Sequence, residues 1–219
     1  MFDLAIVLKS VPMLLGAAVW TVVYSLSSVA IGFCIGTLVC AAGLSGSRIG
    51  RGFAAFYVSF FRGVPLLVQL LLSYYCLPLF GINVPSSVAA VGTLALCTGA
   101  YLAEILRGGF LGIPRGQIEA ARMLGLSRPQ ILTRIEVPLA VRLTLPSLVN
   151  ETTMMVKSSS LISVVGVLEL TRLAQNIATS TFQPLEIYLT AGAIYFAING
   201  VISAAGTLAE RRFRAEGAG

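Results

Sequence analysis

Charged and amide side chains stand in this sequence where apolar stretches ought to exclude them: Arg62, Gln69, Glu104, Arg107, Asn150, Glu151 and Lys157, with Ser158 beside the last. An unpaired charge held near the centre of a bilayer costs ~2.5–3.5 kcal/mol on insertion scales, so each requires a partner or a function. On a helix, Asn150, Met154 and Lys157 share one face, and Glu151, Met155 and Ser158 share the adjacent one. A lysine and a glutamate along such a strip match the two ends of a zwitterion, ammonium to carboxylate and carboxylate to ammonium. The same groups also serve to hold two protein surfaces together, and both readings stand. Glu104 and Arg107, three apart, are placed to pair with each other. Arg62 depends on its helix: if that helix starts at Phe53, the charge lies ~13 Å along it. If Phe53–Phe61 instead lies along the membrane surface, Arg62 sits at the boundary.

Other chemistries are excluded by composition. Histidine is absent, which removes Ser-His-Asp and Cys-His catalysis and every histidine-based metal site. Cys34, Cys40, Cys76 and Cys97 each lie in an apolar run and form no C-x-x-C pair, so they read as small buried hydrophobes. No G-x-x-x-x-G-K-[ST] phosphate loop occurs, so ATP is not held here in that manner. The net charge of +6 falls in the gaps between apolar runs, which points to topology and away from nucleic acid.

The elements that must position these groups are membrane helices. Of the 219 residues 57% are hydrophobic and 11% charged, and the mean hydropathy is +0.90. A soluble domain has ~25% charged residues, so lipid must cover much of this surface. Spans of ~20 residues leave room for five or six in a single membrane domain. They are expected at 15–41, 55–77, 86–107, 143–164 and 187–209, an all-α fold of five transmembrane helices. Asp3, Lys9 and the long apolar run after them do not suit a cleaved leader, and the segment reads as the first span. Gly32 and Gly36 form a small-xxx-small pair on it. Prolines 78 and 85 with Gly81 and Asn83 mark a hairpin between spans two and three. The polar stretch Glu169–Glu186 reads as an exposed loop or half-helix. Eleven arginines collect on one side (48, 51, 107, 115, 122, 128, 134, 142, 211, 212 and 214), against Lys9 and Arg172 on the other. By the positive-inside rule the N-terminus faces out and the C-terminus faces the cytoplasm.

The longest cytoplasmic connection, 108–141, is not a slack linker. Gln117–Leu124 favours a helix closed by Gly125 in a left-handed cap. Ser127 and Gln130 form a capping box for a second helix, which Pro138 is expected to end. Two short helices across a glycine make a basic elbow suited to be gripped by another protein. Here the sequence resembles a known family. Glu119-Ala120-Ala121, Gly125, Ile135 and Pro138 match the EAA-loop pattern of bacterial ABC-importer permeases, with Val137 where that pattern has leucine. The stretches 61–70, 99–109, 113–117, 146–151, 157–161 and 167–170 are similar to the polar-amino-acid group of these permeases.

The resemblance implies a permease subunit in a bacterial inner membrane, carrying polar amino acids delivered by an external binding protein. It implies a cytoplasmic ATP-binding subunit dimer gripping Glu119, Ala120, Ala121, Gly125, Ile135 and Pro138. It also implies a second permease subunit, the same or homologous. ATP and magnesium would belong to that ATPase, and no cofactor or metal is expected on this chain. Arg62, Gln69, Asn150, Glu151, Lys157 and Ser158 are candidates for the substrate path. The competing readings are a self-contained channel or ion-coupled carrier, which leaves the elbow without a purpose, and a membrane enzyme, against which the missing histidines weigh.

Overall fold

The computed structural model describes residues 3–215, and their regular structure is helical. Asp3 accepts the Ala5 backbone N–H (2.9 Å) and caps α1, Leu4–Leu44, which is longer than the expected first span because the helix continues through Lys9 and Ser10 into the apolar residues 4–8. α2 (Arg48–Gly63) and α3 (Leu66–Cys76) follow, then α4 (Ser86–Leu111). The elbow is α5 (Arg115–Met123) and α6 (Arg128–Ile131), and α7 is Val137–Ser158. α8 (Leu170–Thr181) and α9 (Pro184–Ala215) are the last helices among the described residues. Three helices, α1, α4 and α9, are long and apolar enough to cross a membrane alone. There are five spans if each of two bent pairs counts as one.

The first bent pair replaces the single helix expected at 55–77: α2 and α3 meet at 101°. Pro65 is the cause. Its ring forces Val64 out of the helical region (ψ 132°), and Pro65 itself is extended (ψ 135°). The second pair bends by 52° after a 3₁₀ segment, Ser159–Val165, and a left-handed Gly166. The stretch expected to be an exposed loop or half-helix is largely α8, and its apolar face is covered: Leu170, Ala174 and Ala178 pack against Leu14 and Ala18 of α1 and Ile187 and Ala191 of α9.

Lipid is as apolar as leucine, so close packing and satisfied polar groups must hold these helices together. α4 is the hub, touching α1, α2, α3 and α7. The Gly32/Gly36 pair faces it directly: a Cβ on Gly36 would lie 2.9 Å from the Gly99 carbonyl oxygen, and one on Gly32 3.0 Å from that of Ala95. Further along α4, Gly109 admits Thr144 and Ala140 of α7.

Candidate functional site

The elbow is built by its caps. At the end of α5 the Gly125 N–H donates to Arg122 O (2.9 Å) and the Leu126 N–H to Ala121 O (3.2 Å), the paired bonds of a Schellman turn. Gly125 has φ +75°, a conformation that costs an L-residue about 1 kcal/mol or more. Across the corner, a capping box opens α6, where Gln130 Oε1 accepts the Ser127 backbone N–H (2.8 Å) and hydroxyl (3.0 Å). Ala121 and Ile131 are buried beneath the corner, while Glu119, Ala120 and Gly125 are exposed. Met123 (89% exposed) and Leu124 (81%) stand out beside them. Sequence reading passed over this pair, although two large apolar residues before a capping glycine in a basic loop were there to be read as exposed.

Pro138 does not end the second helix. α6 runs through a π turn, Leu132–Glu136, into α7, so 128–165 is one helical body. The Val137 N–H reaches back five residues to Leu132 O. That widened turn immediately before Pro138 accommodates a residue with no N–H to give. Half-buried Ile135 and exposed Pro138 therefore belong to the root of α7, apart from the tip.

The polar strip on α7 takes two attitudes. Asn150, Met154 and Lys157 are exposed, Met155 is buried, and Glu151 and Ser158 are half-buried. The strip thus runs along the outside of this subunit and not through its own interior. Arg62, in the last turn of α2, lies 5.2 Å over the Tyr101 ring. Tyr101 is ~15 Å along α4 from that helix's end at Leu111, which favours the deep placement of Arg62 over the boundary one. Arg62 is within Coulombic reach of Glu151 and Glu104 and, among the described residues, ion-paired with neither. Glu104 instead takes a two-pronged pair from Arg107, at 2.8 and 2.7 Å. Gln69 is buried and bridges the α2–α3 break, its Nε2 donating to Phe61 O (2.9 Å) and Val64 O (2.8 Å). The structure therefore sets Asn150, Glu151 and Lys157 along one helix, lays Arg62 over Tyr101, and gives Gln69 a place in the scaffold.

Sequence reading also missed a fully buried carboxylate. Glu169 Oε2 accepts from the Thr171 N–H (2.9 Å), the Tyr195 hydroxyl (2.9 Å) and the Thr21 hydroxyl (3.3 Å), and Oε1 from the Arg172 N–H (2.8 Å). It caps α8 while tying that helix to α1 and α9.

Comparison with known proteins follows this geometry. Residues 28–215 match the profile of the family described as binding-protein-dependent transport system inner membrane component. The nopaline transport system permease protein NocM of Agrobacterium fabrum is 39% identical, over 95% of this chain and 90% of that one. The glutamine transport system permease protein GlnP of Escherichia coli K12 is 36% identical, over 97% of this chain and 98% of that one. Among solved structures, an amino acid ABC transporter with histidines superposes with TM-score 0.91 at 36% identity, covering 97% of this chain and 99% of the other. An inward-facing methionine ABC transporter, MetNI, shares the fold at TM-score 0.74 and 21% identity.

Proposed function

The chain belongs to the binding-protein-dependent transport system inner membrane components, and from that premise we propose that it carries polar amino acids inward through a pathway completed by a second permease chain. Its relatives include permeases of amino-acid ABC importers. The observation that supports the coupled reading best is the elbow tip. Glu119, Ala120, Met123 and Leu124 are held out together by a Schellman turn, on a connection rich in arginine. An exposed apolar pair on such a basic segment has no lipid to cover it and suits a groove on a cytoplasmic ATPase.

In this reading the positive-inside bias places the elbow in the cytoplasm and the N-terminus outside. ATP and magnesium stay on a partner ATPase dimer, and an external binding protein delivers substrate. ATP binding closes that dimer, the elbows follow, and the permease pair exchanges an inward-open cavity for an outward-open one. Each ligand shifts this equilibrium only by its differential affinity for the two states. Glu151 is the candidate for the substrate ammonium, with Arg62 and Lys157 for its carboxylate and Asn150 and Ser158 as hydrogen-bonding neighbours.

Co-purification of the tagged chain from native membranes tests the coupling, comparing wild type with Glu119→Lys. An ATPase that accompanies wild type and is lost from the variant is the expected result. A wild-type chain that carries substrate with no ATPase attached would return the self-contained carrier to first place.

A further inference from the structure

We infer that Arg128 and Glu136 are positioning residues that make the second elbow helix and the fourth span one stiff lever. The inference rests on the coupled-importer reading and goes beyond the motif that suggested it, since neither residue belongs to that motif. Arg128 opens α6 and Glu136 closes the π turn, and Arg128 Nη1 donates to Glu136 Oε1 at 2.9 Å. The pair thus bridges the π turn, where the ladder widens between the elbow helix and α7. A π turn is a local widening of the ladder and the natural place for the body to flex. Glu136 is 7% exposed, and Arg128 is its only side-chain partner among the described residues.

The surroundings make the contact consequential. Arg128 and Glu136 line a cleft of about 720 Å³ with Leu44 and Ser45 of α1 and Leu106 and Phe110 of α4. The cleft leaves that side of the widened turn open, and the pair, with its arginine two-thirds exposed, is the side-chain contact that spans it. One turn further along α7, at the edge of the cleft, Ala140 and Thr144 are seated on Gly109 of α4. A push on the elbow therefore reaches α7 as a tilt about that seat while the pair is intact. With the pair gone, the push is absorbed as bending at 132–136.

The test is uptake and ATP hydrolysis by the whole complex in proteoliposomes, for wild type, Arg128→Gln, Glu136→Gln and the conservative Arg128→Lys. A coupling loss of about tenfold in substrate carried per ATP hydrolysed is expected for the two glutamine variants, with hydrolysis within about twofold of wild type. Arg128→Lys should restore the ratio. Unchanged coupling in both glutamine variants, or uptake and hydrolysis falling in parallel, would overturn the lever. A wild-type complex without ATP-dependent uptake would overturn the importer reading and the lever with it. Spin labels at Gln117→Cys and Leu143→Cys, with the four native cysteines replaced by alanine, read the same point without the ATPase. The distance distribution should broaden in Arg128→Gln and not in Arg128→Lys, and an unbroadened one overturns the proposal.

Discussion

Glu169 shows how much of a membrane fold rests on one polar side chain. Its two oxygens accept from two backbone N–H groups and two hydroxyls, on three helices. Thr21 adds a second tie, accepting the Leu170 N–H at 3.0 Å, and Thr171 and Tyr195 share a hydroxyl contact of 2.9 Å. Removing the carboxylate takes the acceptor from four donors, one buried and three partly buried, at about 1–3 kcal/mol for each that finds no other partner. The Thr21 and Tyr195 hydroxyls keep Ala17 O and Thr171 Oγ1 within reach. Glu169→Ala should therefore lower the thermal midpoint of the purified permease far more than Tyr195→Phe, which removes one donor. Equal midpoints for the two variants would show that the network carries little stability. Gly125 gives a second residue-scale prediction. Valine there must adopt φ +75° against its branched Cβ, at a cost of about 1–2 kcal/mol. Gly125→Val should reduce ATPase recovery without lowering the thermal midpoint of the spans, because the corner is exposed and lies outside their packing. A recovery equal to wild type would show that the corner's geometry is not what the ATPase grips.

At the scale of elements, what was legible depended on whether the deciding signal was local. The caps at Ser127 and Gly125 and the hairpin at 78–85 are written in turn residues, and the structure has them. The break at Val64-Pro65 was written too, but the unbroken apolar run around it argued for one helix, and steric exclusion by the proline ring prevailed. The π turn had no readable signal. Pro138 looked like a stop because an α ladder cannot accept it, whereas a ladder widened just before it can. α8 was masked by its polar outer face, and only Leu170, Ala174 and Ala178, at four-residue spacing, betray the buried one. The break at Pro65 yields a prediction about which residue maintains it. Gln69 satisfies two carbonyls at the end of α2, so Gln69→Leu orphans Val64 O at about 1–3 kcal/mol and leaves Phe61 O only the weak Cys97 thiol donor at 3.7 Å. Pro65→Ala leaves those bonds in place. The glutamine variant should therefore be the less stable of the two in detergent melts, and the reverse order would mean that the proline alone sets the bend.

The whole molecule presents a surface that a single copy cannot leave to lipid. Asn150, Met154 and Lys157 are exposed along the second half of α7, on a subunit that also exposes many leucines, valines and phenylalanines. Lysine toward hydrocarbon costs ~2.5–3.5 kcal/mol before snorkelling is counted. Lys157 makes no ion pair among the described residues. A second permease chain laid along α7 would enclose the strip, and with it Glu151 and Arg62, in a shared interior. This is why the candidate path was only half legible: the sequence revealed a polar face, and the fold places it on the outside of the subunit, where in the proposed reading a second chain would cover it. The strip then has to be close to its counterpart on the neighbouring chain. A cysteine at Met154, at the middle of the strip, should form a permease–permease crosslink in native membranes with a short bifunctional reagent. A cysteine at Phe196 on α9, 83% exposed among apolar neighbours, should not. Crosslinking at Phe196 and none at Met154 would turn the subunit around: α7 would face lipid, the polar strip would need a different cover, and the shared pathway along Asn150, Glu151 and Lys157 would be lost.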